Sequence, residues 1–254
     1  MSEEPFILDF DANQHAVLEP DHDQLPYHFH SRLLYAFVPK ENIDRFLDEV
    51  PHKVLGTFDT ISFQPSIYEI NLDGQLLTLC QAPLGAPAAT QLLDWLISYG
   101  VKQALAFGNA GALVDLPENT LLIPTRAIRD EGTSFHYAAT GNIINLQLDF
   151  IKKIEKGVHK LNFKFDEITT WTTVFRETPK KVAQFKQLGA ATVEMECSAL
   201  AACAEFRKVD FAQLLFTADF LAKIDDYDER NWGDQSHNLG LEIGSRVLAM
   251  IAEK

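Results

Sequence analysis

The stretch GAPAATQLLDWLISYGVKQALAFGNAGAL, residues 85–113, sets a helix directly before a buried strand. Pro87 suits a first helical turn, where its missing N–H costs nothing. Leu92, Leu93, Leu96 and Ile97 fall at helical spacing as one apolar face, and Gly100 ends the helix. Ala104 to Phe107 then read as a strand running into a glycine-bearing turn, Gly108-Asn109-Ala110-Gly111. A helix that returns into a buried strand is the repeating unit of an α/β fold.

The alternation continues in both directions. LLYAFVP (33–39) is a continuous apolar run, expected as a buried strand, and ENIDRFLDEV (41–50) has helical spacing through Ile43, Phe46, Leu47 and Val50. Strands are expected around 60–70 and 75–82, joined by the turn Leu72-Asp73-Gly74. Further strands are expected near 120–128, 166–174 and 209–219, and helices at 178–188, 196–207 and 238–252. Short apolar strands alternating with amphipathic helices give an α/β domain with a mostly buried sheet. Residues 1–30, with Pro5, Pro20, Pro26 and many Asp and His, read as an irregular arm, and residues 31–254 as a single domain without linkers or repeats.

Composition narrows the function classes. With 36 acids against 22 Lys plus Arg, the net charge of −14 repels phosphate backbones, so no nucleic-acid partner is expected. Any anionic substrate would need a local positive or amide-lined pocket. Three cysteines without regular spacing fit a reducing compartment rather than a disulfide framework. The acidic start MSEEPFILDF lacks the pattern of a signal peptide, and no apolar run spans a membrane, so the expected location is cytoplasmic. The eight histidines show no metal-ligand spacing, and no metal site is expected.

Four stretches place polar residues at strand ends, where α/β sheets bind ligands. The glycines of FGNAG let the backbone approach a ligand, although a tight turn would also use them. RDEGTSFHY (129–137) is denser in polar groups than a turn requires. In TVEMECSAL (192–200), Glu194 and Glu196 enter a helix built of small residues. Helix-end electrostatics account for one of these acids, at about 0.3–1 kcal/mol. If an extended strand leads into the helix, both point into one cleft. A carboxylate that accepts two hydroxyl protons is a good grip on the 2′ and 3′ hydroxyls of ribose. Asp219, in LLFTADFL, directly follows an apolar strand; it reads either as a helix N-cap or as an acid whose burial suits it to donating a proton.

Taken together and in order, these motifs resemble the family of nucleoside phosphorylases and nucleosidases that includes uridine phosphorylase, bacterial-type purine nucleoside phosphorylase and methylthioadenosine nucleosidase. VEMECSAL resembles the family's V-E-M-E-x-x-A signature, GNAGAL its G-T-A-G-G-L turn, and RDEGTSFHY the D-E-G-T-S-x-H-Y loop of uridine-phosphorylase-like members. TWTTVFRETP resembles the segment with the base-stacking aromatic, and FTAD the S-D motif of purine-acting branches. The resemblance implies a mixed twisted sheet flanked by helices. It implies that Glu196 holds the ribose hydroxyls, Met195 packs on the sugar, Glu194 supports them, Phe175 stacks on the base and Asp219 meets the leaving group. Gly108 and Asn109 would contact substrate. His15, in DANQHAVLEP, is similar to the N-terminal histidine that reaches a neighbouring subunit's 5′-hydroxyl, which implies a homo-oligomer, a dimer or hexamer.

The departures concern phosphate. The phosphorolytic glycine-aspartate-proline-x-arginine loop is replaced by VPKENIDR, in which Arg45 is the nearest cation but one residue out of register. Ala106 stands where an arginine precedes the glycine turn, and Asn109 replaces its threonine. FDT (58–60) offers no substitute for the arginine lent by a neighbouring subunit, and Pro179 and Lys181 fall where uracil-reading residues would be. Arg176 is a substitute candidate for base or phosphate. The resemblance therefore implies a nucleoside phosphorylase using inorganic phosphate as co-substrate, with no other cofactor. The alternatives are a nucleosidase using water and a family member that binds nucleosides without turnover.

Overall fold

The computed structural model describes residues 5–223 and 227–253. In chain order it contains β1 (Arg32–Ala36), α1 (Lys40–Glu49), β2 (His52–Thr57), β3 (Ser66–Leu72), β4 (Gln75–Gln81), α2 (Ala86–Ser98) and β5 (Gln103–Ala112). β6 (Leu121–Arg129), β7 (Ile143–Asn145), α3 (Leu148–Lys160), β8 (Asp166–Thr172), α4 (Pro179–Gln187) and β9 (Ala190–Glu194) follow. The chain closes with α5 (Cys197–Phe206), β10 (Asp210–Phe220) and α6 (Asp234–Ala249).

All ten strands of the described residues form one mixed sheet in the order β10-β6-β8-β9-β5-β1-β4-β3-β2, with β7 on β6. β10 also pairs with β5, in parallel register from Asp210 opposite Gln103 to Phe220 opposite Ala112. Strands β5, β9, β8, β6 and β10 therefore close into a ring, and β1, β4, β3 and β2 extend from it as an open wing. Every residue of β1 is buried, and β10 is buried along most of its length, as expected of strands covered on both faces. α5 buries Cys197 through Ala204, because its small side chains let it lie close against α2 and the sheet.

The α/β class, the single sheet and the flanking helices agree with the sequence reading. Several boundaries do not. The segment expected as a strand at 60–70 is a loop up to Pro65, held by the Thr60 hydroxyl on the Phe63 carbonyl at 2.6 Å. Two strands were not expected: β7, which pairs with β6, and β2, which lies at the sheet edge, where HKVLGT needs no apolar alternation. α3 was not expected, although Phe150, Ile151, Ile154 and Val158 give it a buried stripe.

The largest correction concerns FGNAG, which is not a turn. β5 runs straight through it to Ala112, and neither Gly108 nor Gly111 has a positive φ. The glycines are there for close packing. A Cβ on Gly108 would stand 2.9 Å from the Cβ of Phe37, and one on Gly111 would stand 2.5 Å from Leu221 Cδ1. Asp219 likewise lies inside β10, with no helix beginning at it, so it is not an N-cap.

The described part of the arm makes one short helical turn, Phe6–Leu8, and no strand pairing. It is fastened to the domain at separate points. Arg207 donates to the Gln14 carbonyl at 3.2 Å, Phe10 meets Phe206 edge-on, and the Leu25 N–H reaches the Tyr99 hydroxyl at 3.0 Å. The three cysteines are free and buried. Among the described residues no helix is long and apolar enough to cross a membrane, and no group of three or more His, Cys, Asp or Glu could hold a metal ion.

Candidate active site

β9 ends at Glu194 and α5 begins at Cys197, so Met195 and Glu196 form the joint between strand and helix. Extended entry does bring two acids together here, but they are used differently. Glu194 accepts the N–H groups of Glu196 at 2.8 Å and Cys197 at 2.6 Å, and the Thr172 hydroxyl at 2.7 Å. It satisfies the free amides of the first helical turn, the task that capping side chains perform. Glu196 occupies the N-cap position, yet its side chain makes no cap bond. Its carboxylate instead receives the Gly85 N–H at 2.6 Å. Gly85 has φ +93, a conformation that favours glycine, and it precedes α2.

Both carboxyls are buried, at 6 % and 5 % exposure, and neither forms a salt bridge with Lys or Arg among the described residues. Burial raises the Glu194 pKa, against its hydrogen bonds from Thr172 and the backbone. Burial and then the charge of Glu194 raise that of Glu196, against backbone N–H groups of Gly85 and Met195. An acid buried without a cation is costly unless a ligand completes its bonding.

Beside this joint lies a cavity of about 1130 Å³. Met195 and Gly85 form part of its wall, with the Glu196 carboxylate directly behind Gly85. α2 presents one face along it: Ala86 and Pro87, Thr90 and Gln91, Asp94 and Trp95. The RDEGTSFHY loop forms another side through Glu131, Thr133, His136 and Tyr137, and Thr173 and Val174 follow β8 onto the wall. The arm closes the cavity through Leu18, Glu19, His22 and Leu25. The loop's polar density partly serves the fold. Arg129 donates to Ser134 Oγ and to the carbonyls of Ala138, Ala139 and Gly141, and Asp130 accepts from Trp171 Nε1 and Lys181. Glu131 accepts the Ser134 N–H and the Ser198 hydroxyl, which ties the loop to α5.

The cavity lining carries the carboxylates of Glu19, Asp23, Asp59, Asp94 and Glu131 and, among the described residues, no Lys or Arg. Asp94 is neutralised from behind by Arg207, whose guanidinium donates to both its oxygens at 2.7 and 3.0 Å, and the Tyr137 hydroxyl adds a bond at 3.1 Å.

The model of the phosphorylase superfamily matches residues 37–251 of this sequence. The chain belongs to the phosphorylase superfamily. It is 26 % identical over 156 residues to a DeoD-type purine nucleoside phosphorylase of Bacillus cereus (strain B4264), an alignment covering 58 % of this chain and 65 % of that relative. The curated relatives it matches are thus spanned over less than two thirds of their length. Its fold is shared with purine nucleoside phosphorylase from Toxoplasma gondii, solved in complex with immucillin-H, at a TM-score of 0.75 and 13 % identity over 87 % of this chain and 90 % of that one. Uridine phosphorylase from Vibrio fischeri ES114 gives a TM-score of 0.70 at 19 % identity over 89 % and 91 % of the two chains. The 5′-methylthioadenosine/S-adenosylhomocysteine nucleosidase of Campylobacter jejuni gives 0.71 at 19 % identity over 88 % and 100 %.

Within this superfamily member, the residues expected at the site fall into two groups. Met195, Glu196 and Glu194 gather at the β9–α5 joint, where Met195 lines the cavity and Glu196 lies behind the lining residue Gly85. The others stand off the wall. Phe175 is 87 % exposed, Arg176 and Arg45 are exposed, and His15 lies on the outer side of the arm, 3.6 Å from Glu19. The arm turns His22 to the cavity instead. Gly108 packs on Phe37, and Asn109 is held by the chain itself. Its Nδ2 donates to the Trp232 carbonyl at 2.7 Å and lies 3.0 Å from His237, while its Oδ1 accepts from Ser236 at 2.7 Å. Asp219 is half-buried beside Gly111; burial raises its pKa against a bond from the Tyr227 hydroxyl at 3.3 Å.

Some participants were not singled out from sequence. Arg230 stacks on Phe220 and its charge opposes the rise at Asp219. Gly85 and Thr90 lie in a helix entry that reads as ordinary core. The polar Thr90 and Asp94, four residues apart on a mostly apolar helix, were the signal available.

Proposed function

We propose that this protein cleaves the N-glycosidic bond of a nucleoside bound in the cavity, with water as the nucleophile. The reading rests on Glu196: a buried carboxylate with no cationic partner among the described residues, beside Met195 on the wall of a cavity large enough for a nucleoside. In this reading Glu196 accepts the 2′ and 3′ hydroxyls, and Met195 packs on the sugar. The C1′–N bond breaks with its electron pair leaving on the base, and the sugar passes through an oxocarbenium-like state. The acid that protonates the departing base is a carboxyl of the cavity lining, since Asp219, although raised by burial, stands off that wall. Water adds to C1′ and gives its proton to a lining carboxylate.

Water is preferred to phosphate because, among the described residues, the cavity lining presents carboxylates without Lys or Arg. A phosphate without a fork of donors, among acids, binds poorly. Arg45 lies exposed on α1, and Asn109 already has partners in the 232–237 segment. Phosphorolysis is the second reading, supported by the DeoD-type names of the curated relatives; inorganic phosphate is then the co-substrate. In either case the proposal includes self-association, as a dimer or hexamer, in line with the resemblance, and no further cofactor.

The test is base release from a panel of purine and pyrimidine ribonucleosides, assayed with and without phosphate or arsenate. Release independent of phosphate is the expected result. Release only with phosphate or arsenate would replace water by phosphate, and no release from any nucleoside would overturn both readings.

A further inference from the structure

The arm crosses the cavity between two unequal attachments. Its inner end is built into the core. Phe29 is buried and its N–H donates to the Tyr99 carbonyl at 2.9 Å. Tyr27 packs on Phe29, Trp95 and Tyr99 with ring centres 5.7, 5.7 and 5.9 Å away. The outer end is held at separate points. The Thr140 hydroxyl donates to the Leu8 carbonyl at 3.2 Å, Phe10 meets Phe206 edge-on with ring centres 6.4 Å apart, and Arg207 donates to the Gln14 carbonyl at 3.2 Å. The Gln14 side chain adds a long bond to the Phe206 carbonyl at 3.4 Å.

Between these attachments the arm bonds to itself. The Ala16 N–H goes to the Glu19 carboxylate, the His22 N–H to the Glu19 carbonyl and the Gln24 N–H to the Asp21 carbonyl. Among the described residues, every hydrogen bond of residues 15–24 stays inside the arm. Leu18 lines the cavity while 68 % exposed, so little burial holds the segment down. Segments of this kind open locally at far less cost than global unfolding. Gln24, where the arm turns towards its fixed end, has φ +47, a conformation that a residue with a side chain leaves readily. The outer attachment shares its donor with the cavity wall. Arg207 follows α5 directly, and Glu196 stands at the other end of that helix. The guanidinium gives Nε and Nη2 to the two oxygens of Asp94, which lines the cavity, and Nη1 to Gln14. One planar fork thus holds a wall residue and the arm at once, a geometry that lysine does not reproduce.

We propose that residues 5–25 are a strap over the cavity, hinged next to Tyr27 and Phe29 and latched at Arg207, that opens to admit the ligand and to release what the site has made. Asp94 sets the guanidinium in place, and the third donor of the fork closes the strap. Entry and exit then pass through the same opening, and the latch sets how often it occurs. The strap rests on the nucleoside reading only for the identity of what enters. Arg207 acts through the arm and is not a catalytic residue in this account.

The experiment combines stopped-flow binding of adenosine and uridine to the full chain with hydrogen exchange at the Leu25 N–H, whose bond to the Tyr99 hydroxyl reports opening. Arg207→Lys keeps a cation against Asp94 and loses the fork. Phe10→Ala leaves Arg207 and Asp94 as they are and removes the edge contact with Phe206. In the empty protein Arg207→Lys should speed Leu25 exchange about fivefold, as the loss of one hydrogen bond supplies, and Phe10→Ala should speed it less. Exchange in β1 should not change in either variant. Arg207→Lys should raise the nucleoside on-rate and off-rate together, each about fivefold, with Kd within about twofold of wild type, because a gate speeds both directions alike. An arginine that only shaped the wall would raise the off-rate alone and weaken Kd. That result, rates unmoved in both variants, or Leu25 exchange that stays in step with β1 would each overturn the strap. If no nucleoside binds while both variants release Leu25 exchange, the nucleoside reading falls and the strap stands.

Discussion

Two regions that carry family-like motifs, the β9–α5 joint and the glycine segment of β5, have opposite fates in this molecule. At the joint, Glu194 satisfies the helix amides and leaves Glu196 with a backbone N–H and, among the described residues, no cation. In β5, the polar side chain of Asn109 is occupied by the carbonyl of Trp232, by Ser236 and by His237. One motif keeps binding capacity in reserve against the cavity; the other has given its capacity to the segment leading into α6. The lesson is that a motif's residues declare their role through the partners they already have.

Breaking the first side of this contrast should have the largest effect. Glu196→Ala should lower kcat/KM for base release more than a hundredfold, since about two charge-assisted hydrogen bonds of roughly 1.5–3 kcal/mol each are lost. A drop below tenfold would remove Glu196 from its role. Glu194→Ala should act on folding first. It abandons three donors, so denaturant unfolding should show a loss of about 3 kcal/mol. If Glu194→Ala were as stable as wild type but inactive, the assignments of the two acids would have to be exchanged.

The other side of the contrast predicts a smaller change. Asn109→Ala should cost about 2 kcal/mol of stability, from the freed Trp232 carbonyl and Ser236 hydroxyl, with no new dependence on phosphate. A phosphate-dependent rate that disappears in this variant would show that β5 still serves an anion.

The pair of acids also predicts a pH effect. Burial makes both carboxyls bind a proton more tightly in the folded chain than in the unfolded one. Their contribution to stability is therefore complete below the ordinary carboxylate range and is lost as pH rises through the elevated values. The Tm of the empty protein should fall over that interval, and Glu196→Gln should flatten the fall; an unchanged slope would place the titration elsewhere. Phe175→Ala should do least. At 87 % exposure and off the cavity wall, its stability should stay within about 0.5 kcal/mol of wild type, and nucleoside KM should change less than threefold. A tenfold rise in KM would return the ring to the base.

Much of the architecture was legible in sequence because its signals are local. The apolar face of α2, the strand at 104–107 and the small residues of α5 each follow from spacing. β2 was missed because an edge strand with exposed residues carries no alternation to read. The FGNAG segment was misread because glycine permits two things, a turn or close contact, and only the positions of Phe37 and Leu221 decide between them. The joint at Glu196 was legible because two acids before an apolar helix demand an account. Thr90 was not, since a threonine on a helix becomes informative only when its hydroxyl is found buried and unpaired. The closing of the cavity by the arm joins residues 18–25 to α2, a relation between distant segments that no local pattern contains.

The claim that Glu196 grips the sugar is tested most directly by a double-mutant-style cycle on binding. A ribonucleoside and its 2′,3′-dideoxy counterpart are titrated into wild type and Glu196→Ala. Wild type should prefer the ribonucleoside by about a hundredfold or more, and the preference should collapse to within a few-fold in the variant. A preference that survives intact without the carboxylate would contradict the account.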